Sequence, residues 1–372
     1  MFSVIQRCSA QVVVGATFLL ALASAQAQTT AAAWPPVPAL SAHRGASALH
    51  PELTLPAFER AIQDGADILE LDVVLSKDQV LVVRHDNALA ALKADGMVDF
   101  ATTNIAQQPQ FAERKTTRNV DGQPLTGWFV EDFTWPELQT LRATERWAQL
   151  RPDNAAQDGQ LPLLQLQQVA DLVKAHNQSA ARPVGLFVEI KHAAHAKSHG
   201  LDMVGALLKF LEHNQWNSAD APVLVKSFEV QVLKDLRAQS PVRIFQLLNS
   251  KDGPPDLMAQ GTTYAQMSQP DGKAAIHQYA QGVSMAKPLA AEMDKGQWVR
   301  PSAATRAAKA QGLSVHVWTL RPENQYLPNP YKNGSNPAQR GNAAAEAKAL
   351  LSTGVDGLIT DDPASIRAAF GR

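Results

Sequence analysis

The chain has 372 residues, 45% of them hydrophobic and 19% charged, enough to bury a large core and too long for one small sandwich. Its 34 basic and 35 acidic residues leave a formal net charge of −1. That balance excludes the basic surface of a nucleic-acid binder, and no acidic tail is present.

The chain opens on an export signal. Arg7 precedes an apolar run over 12–23, and Ala23-Ser24-Ala25 and Ala25-Gln26-Ala27 supply small-x-small exits. The run is too short for the ~20 residues that span a bilayer. The expectation is a signal peptide over 1–27, removed after Ala25 or Ala27, with no stable membrane insertion afterwards and a periplasmic or secreted product. Cys8, the only cysteine, lies inside the segment to be removed, so no disulfide braces the rest.

Short runs rich in Val, Ile and Leu then alternate with helix-like patterns. Strands are predicted over 39–44, 68–74, 186–191, 223–227, 242–248, 282–285, 313–319 and 357–360, with an extra extended segment over 80–85. Between them, Leu55, Phe58 and Ile62 follow helical spacing, as do Val204, Leu207, Leu208 and Leu211. Strands apolar on both faces and alternating with helices imply a parallel sheet covered all round. Eight of them fit an α/β fold of the (β/α)₈ TIM-barrel type, here one domain over 28–372. The weakest strand is the sixth, around Val283. Residues 87–160 break the rhythm with Asp-Gly pairs at 95–96 and 121–122 and four prolines. They read as an insertion after the second strand, with a helix over 135–148. A Pro- and Asn-rich stretch over 321–341 reads as a long loop after strand seven.

Polar side chains stand where the strand pattern is otherwise apolar. Strand side chains alternate with period two, so Glu70 and Asp72 share a face opposite Leu69, Leu71 and Val73. Glu189 and Lys191 share a face in the same way, and so do His316 and Trp318. If the aliphatic face meets the covering helices, these polar groups point into the barrel mouth, where barrel enzymes carry their sites. Three carboxylates converging there repel one another and lose solvation. A divalent ion relieves both costs, and an all-oxygen ligand set without cysteine suits a hard ion, Ca²⁺ first and Mg²⁺ as the alternative. With Glu70, Asp72 and Glu189 on the ion and Arg44 and Lys191 beside it, one phosphodiester brings the local charge to zero. His43 and His85 are the pair suited to proton transfer near neutral pH. His192, His195 and His199 superficially suggest zinc. Spacing alone is poor support, and the preferred reading is a loop beside the site. His316 and Trp318 either shape a substrate pocket or fill the barrel, and Ser227 and Gln246 sit near strand ends as supporting groups.

Several of these islands carry a family resemblance. His43-Arg44-Gly45-Ala46-Ser47, the stretch Pro51-Glu52-Leu53-Thr54-Leu55-Pro56-Ala57-Phe58, Gly65 through Val73, and His85-Asp86 closely resemble the N-terminal signature of glycerophosphodiester phosphodiesterases. Glu189-Ile190-Lys191 and the closing Gly354 through Pro363 resemble later blocks of that family, in the same order. The resemblance implies a TIM barrel, a Ca²⁺ or Mg²⁺ ion on Glu70, Asp72 and Glu189, and acid/base histidines at His43 and His85. The export signal and the long segment after His85 are most similar to the periplasmic subgroup. Where the family usually has Pro-Glu-Asn-Thr, Leu53 replaces the Asn, so altered local hydrogen bonding is expected around Glu52, a supporting group. The implied activity is hydrolysis of small-molecule glycerophosphodiesters to glycerol 3-phosphate and an alcohol. Arg44, Lys191, His316 and Trp318 would then touch substrate. The rival expectations are a phospholipase C- or D-type barrel enzyme acting on intact lipids, and a noncatalytic exported binding protein.

Overall fold

The computed structural model describes residues 1–2 and 34–371. The expected signal peptide, its cleavage positions and Cys8 lie outside the described residues. In the unit that begins at Trp34, eight parallel strands close on themselves. They are Ala39–His43, Ile68–Leu75, Gly185–Ile190, Val223–Ser227, Arg243–Leu248, Gly282–Ala286, Ser314–Leu320 and Gly357–Thr360. The first strand pairs with both the second and the eighth, which makes the sheet a barrel. All eight match the predicted runs to within a residue or two, the weak sixth included.

Each strand is buried on both faces, which is why the runs read as continuously apolar. Leu69, Leu71, Val73, Val188 and Val225 face outward into the layer of helices. The helix Leu55–Gln63 shows how that layer forms. Pro56 sits in its first turn, where the missing N–H costs nothing, and Ala57, Phe58 and Ala61 make its buried face. Inside the barrel, Ile68, Phe187, Leu224, Phe245 and Ile359 form a separate apolar plug. The plug closes the interior below the carboxyl rim, so polar side chains one step further along each strand meet only at the mouth.

Between the second and third barrel strands the chain builds an antiparallel sheet of its own. The segment Leu81–Val83 first turns back against the second strand, where 80–85 was read as extended. Then Val98–Ala101, Ala88–Leu92, Gln123–Phe129 and Thr116–Val120 lie in that spatial order. The Asp121-Gly122 pair makes the tight turn of the last hairpin with φ of 50° and 84°, the left-handed geometry such turns require. The helix expected over 135–148 is corrected: it spans only Trp135–Leu138. Beyond it, Arg142 and Ala143 make isolated bridges to Pro162 and Thr103, so the apolar spacing of Leu138 and Leu141 serves extended chain against the insertion's core. A hairpin of Ala291–Asp294 with Gln297–Pro301 sits between the sixth and seventh barrel strands and was not foreseen. Residues 321–341 are a loop with two short turns, Asn324–Tyr326 and Asn329–Tyr331, tied down by an Arg340–Asp362 ion pair.

Candidate active site

The parallel register assembles the rim. His43 is the direct neighbour of Glu70, Asp72 of Glu189, and Glu189 of Lys226. One oxygen from each of Glu70, Asp72 and Glu189 lies within 4.8 Å of the others, and all three residues are at most 5% exposed. Around them stand three cations. Lys226 Nζ is 2.6 Å from Glu70 and 3.4 Å from Glu189, Lys191 Nζ is 2.7 Å from Glu189, and Arg44 Nε is 3.3 Å from Asp72. The Arg44 backbone N–H also donates to Glu70 at 2.9 Å. Lys226 was missed, although it alternates with the outward-facing Val225 in a strand buried on both faces, the same signal that exposed Glu70 and Asp72.

These cations do not fully neutralise the cluster. Burial, then Glu189 and Glu70, push the Asp72 carboxyl up despite Arg44. Lys191 and Lys226 outweigh burial at Glu189 and hold it down. Among the described residues Asp72 Oδ2 has no hydrogen bond, only the approach of Arg44 Nε. A carboxylate driven toward protonation, with an unbonded oxygen beside two other carboxylates, fits a hard divalent cation held by Glu70, Asp72 and Glu189.

Both histidines end on carboxylates. His43 Nδ1 is 2.6 Å from Asp361 Oδ1, and Asp361 is fully buried while also bonded by Arg151 at 2.5 Å and Arg321 at 3.1 Å. Those guanidiniums and His43 outweigh burial and keep the Asp361 carboxyl well below the usual range. His85 Nδ1 is 2.9 Å from Asp86, and its Nε2 is 3.1 Å from Lys191 Nζ. Burial, then Arg44, lowers His43 below the ordinary histidine value, and burial with Arg44 and Lys191 lowers His85 to about 3. Both imidazoles are neutral at pH 7.

A second layer holds these groups. Arg44 Nη1 donates to Glu52 at 2.7 Å, and Arg146 donates to Glu52 at 2.9 Å and to Asp86. Burial would raise Glu52, but Arg146 and Arg44 hold it well below the usual carboxylate range. Arg151 joins Asp361 to Glu323 and to the Ser47 carbonyl. Asp361, Arg146, Arg151 and Glu323 were not foreseen as site residues. Asp361 stands in the closing block whose likeness was noted, but its partner is 318 positions away. Leu53, where Asn is usual, has φ of 60°. That conformation suits Asn and costs another L-residue about 1–2 kcal/mol, here offset by burial of the side chain to 2% exposure.

The remaining candidates divide. His316 is corrected: it does not reach the rim. It is 2% exposed, packs against Phe245 and Phe187 at ring distances of 4.9 and 5.7 Å, and leaves no room for a side chain at Gly357. Burial lowers it to about 4, so it fills the barrel as an uncharged ring. Trp318, one step higher, stands edge-on to Phe228 and donates to the Ser284 carbonyl. Gln246 is fully buried and ties Tyr279 to strand-end carbonyls. Ser227 donates to the Ile190 carbonyl. Of the three nearby histidines His192 stands apart, bonded to Asp121, while His195 bonds Glu131 and lies tilted against His199, so that Glu131, His195 and His199 bring ligand atoms within 4.8 Å of one another. Beside Glu189 and Lys191 a cavity of about 420 Å³ opens, walled by His192, Phe228, Glu229 and Tyr264 among others.

A closed parallel barrel with an acidic cluster, guanidiniums and carboxylate-held imidazoles at its carboxyl rim is the architecture of a barrel enzyme. Residues 43–365 match the model of the glycerophosphoryl diester phosphodiesterase family. The chain is 30% identical over 301 residues to the glycerophosphodiester phosphodiesterase GDPD6 of Arabidopsis thaliana, covering 77% of this chain and 75% of that one. It is 27% identical over 307 residues to a glycerophosphodiester phosphodiesterase of Treponema pallidum, covering 76% and 80%. In fold it is similar to a glycerophosphoryl diester phosphodiesterase structure from Silicibacter pomeroyi, at 23% identity and a TM-score of 0.61 over 91% of this chain and 94% of that one. It is also similar to a phosphodiesterase from Oleispira antarctica solved with the product sn-glycerol-3-phosphate, at 20% identity and a TM-score of 0.55 over 90% and 98%. The chain belongs to the glycerophosphoryl diester phosphodiesterase family.

Proposed function

We propose that this enzyme hydrolyses glycerophosphodiesters to glycerol 3-phosphate and an alcohol, using a divalent cation and two histidines. The observation that carries the reading is the meeting of three buried carboxylates with two carboxylate-held imidazoles at one rim. Glu70, Asp72 and Glu189 would hold the cation, Ca²⁺ before Mg²⁺, which would supply Lewis-acid stabilisation of charge at the phosphate. Arg44 and Lys191 present the positive charge that a diester anion meets.

His43 is neutral and therefore able to accept a proton at Nε2. Asp361 fixes its tautomer and balances the imidazolium that forms. His85 protonates the leaving alkoxide. Burial, then Arg44 and Lys191, lower it in the free protein, and a bound diester facing the same two cations would offset their share and favour the protonated form this step requires. Attack by water and attack by the glycerol 2-hydroxyl both use this base, and ³¹P NMR for a cyclic phosphate distinguishes them.

The test is glycerol 3-phosphate release by His43→Ala and His85→Ala. Turnover is expected to vanish in both while calorimetric cation binding survives. Turnover near wild type in either variant removes that histidine from the mechanism. Release of phosphate esters from vesicles but not from soluble glycerophosphodiesters would favour the lipid-acting alternative. The pattern of residues 1–27 supports export with cleavage after Ala25 or Ala27, checked by N-terminal sequencing of the mature protein.

A further inference from the structure

The sequence offers the spacing of His195 and His199 no further ligand, and the fold supplies one. His195 lies in the helix Ala193–Ser198 and His199 just beyond its end, so the two rings stand on one side of the turn with centroids 4.4 Å apart. Glu131 comes to them from the insertion, in the turn Val130–Asp132 that follows Gln123–Phe129. One ligand atom from each of the three lies within 4.8 Å of the others. None of the three takes part in the diester chemistry described above.

The ring nitrogens are already sorted for a cation. His199 Nδ1 is 2.9 Å from the His195 carbonyl, an oxygen that can only accept, so Nδ1 carries the hydrogen and Nε2 presents a lone pair. His195 Nε2 is 2.6 Å from Glu131 Oε1, and both residues are 9% exposed. Arg118 pairs with Glu131 and with Asp132, and Arg114, which bonds the Asp132 carbonyl, pairs with Glu137. Three acids thus face two guanidiniums. Burial, then Glu131, push the Asp132 carboxyl up despite Arg118, and its Oδ2 makes no hydrogen bond among the described residues. The spot is short of positive charge, and the exposed His199 opens it to solvent.

We propose that Glu131, His195 and His199 form a second metal site, for Zn²⁺ or a like borderline transition ion, that staples the insertion to the barrel. Two imidazoles with one carboxylate suit such an ion rather than the hard cation of the rim. Donor atoms around Zn²⁺ stand roughly 3.4 Å apart, so the group closes by at most about 1.4 Å on loading, and the exposed His199 ring supplies that by rotating. The ion replaces the hydrogen between His195 and Glu131, which passes to His195 Nδ1, and water fills the fourth position. The loaded ion ties the insertion, and Arg146 with it, to the stretch that follows Lys191.

The test titrates Zn²⁺ into untagged protein already saturated with Ca²⁺, so that the carboxylates of the rim are occupied. One equivalent is expected to bind in the micromolar range or tighter, and Co²⁺ in its place to give the strong visible absorption of a four-coordinate site. His199→Ala is expected to weaken Zn²⁺ at least about tenfold, since even groups behind a metal's own ligands commonly count for that much. The ring is exposed, so this variant folds, and its turnover without Zn²⁺ matches wild type. Zn²⁺ is expected to raise the melting temperature of wild type and not that of His199→Ala. No Zn²⁺ bound by the Ca²⁺-loaded protein overturns the site and leaves His195 and Glu131 as a hydrogen-bonded pair. Zn²⁺ affinity unchanged in His199→Ala, or lost instead in His43→Ala, overturns it as well and puts the ion elsewhere.

Discussion

Asp361→Asn isolates the contribution of one buried charge to the base. Asp361 gives Oδ1 to His43 Nδ1 and Oδ2 to Arg151 and Arg321. An amide has only one acceptor atom, and two guanidiniums demand it. The NH₂ then faces His43, which must accept at Nδ1 and carry its proton at Nε2, the atom that should take one from the nucleophile. The charge-assisted bond alone is worth about 1.5–3 kcal/mol, or roughly 10- to 150-fold. Loss of the usable tautomer adds the general-base contribution, about 10²–10⁴-fold. We expect kcat to fall by about 10²–10⁴ with KM little changed, because phosphate and cation contacts remain. Glycerol 3-phosphate release under saturating diester measures it, with a melting curve to show that the fold survives. A kcat within about threefold of wild type, far less than one general base is worth, would refute the assignment of His43 as an Asp361-held base.

Three further outcomes follow from the same geometry. Chelation is expected to abolish turnover, and Ca²⁺ or Mg²⁺ to restore it; full activity after exhaustive chelation removes the cation from the mechanism. Lys226→Met leaves Glu70 and Glu189 facing each other, so without divalent cation it should cost about 3–5 kcal/mol, the usual loss on breaking a buried pair. Added Ca²⁺ should then raise its melting temperature more than that of wild type, and equal cation-free stability would contradict the pairing. Lys273 is fully buried with only Met285 Sδ, at 3.9 Å, as a partner among the described residues, and burial pushes it down from 10.5 to about 7. The unfolded chain holds the extra proton between those values, so wild-type stability rises with pH across the window. Below it the charged ammonium costs on the order of 5 kcal/mol. Lys273→Met removes that slope, so its advantage in denaturant unfolding should shrink by roughly 2 kcal/mol or more between about pH 6 and pH 9, and a constant advantage would count against the burial argument.

The barrel was legible because its strands are buried on both faces and short enough to read as separate runs. Glu70, Asp72 and Glu189 stood out as charges on the inward phase of such runs, and Lys226 carried the same mark unread. His316 shows the limit of that signal. Alternation says a side chain points inward but not at which height, and the ring lies one layer too low. Residues 87–160 resisted for another reason. Trp135, Leu138 and Leu141 keep helical spacing, yet burial against the insertion's sheet decides the conformation, and of the expected 135–148 helix Trp135–Leu138 alone is helical. The tethers of the two histidines were also unread. The Asp361 tether of His43 and the Arg146 grip on Asp86 behind His85 join residues from distant stretches of chain, and no local pattern records such a meeting.

Arg146 and Arg151 are five positions apart, on a stretch that belongs to no barrel strand, yet one grips the carboxylate behind His85 and the other the carboxylate behind His43. The two proton carriers thus share a single external bracket. Any event that shifts this stretch, such as a protease nick or a neighbouring molecule pressed against it, would disturb both ends of the reaction together. Half-active species, with one imidazole aligned and the other adrift, should therefore be scarce.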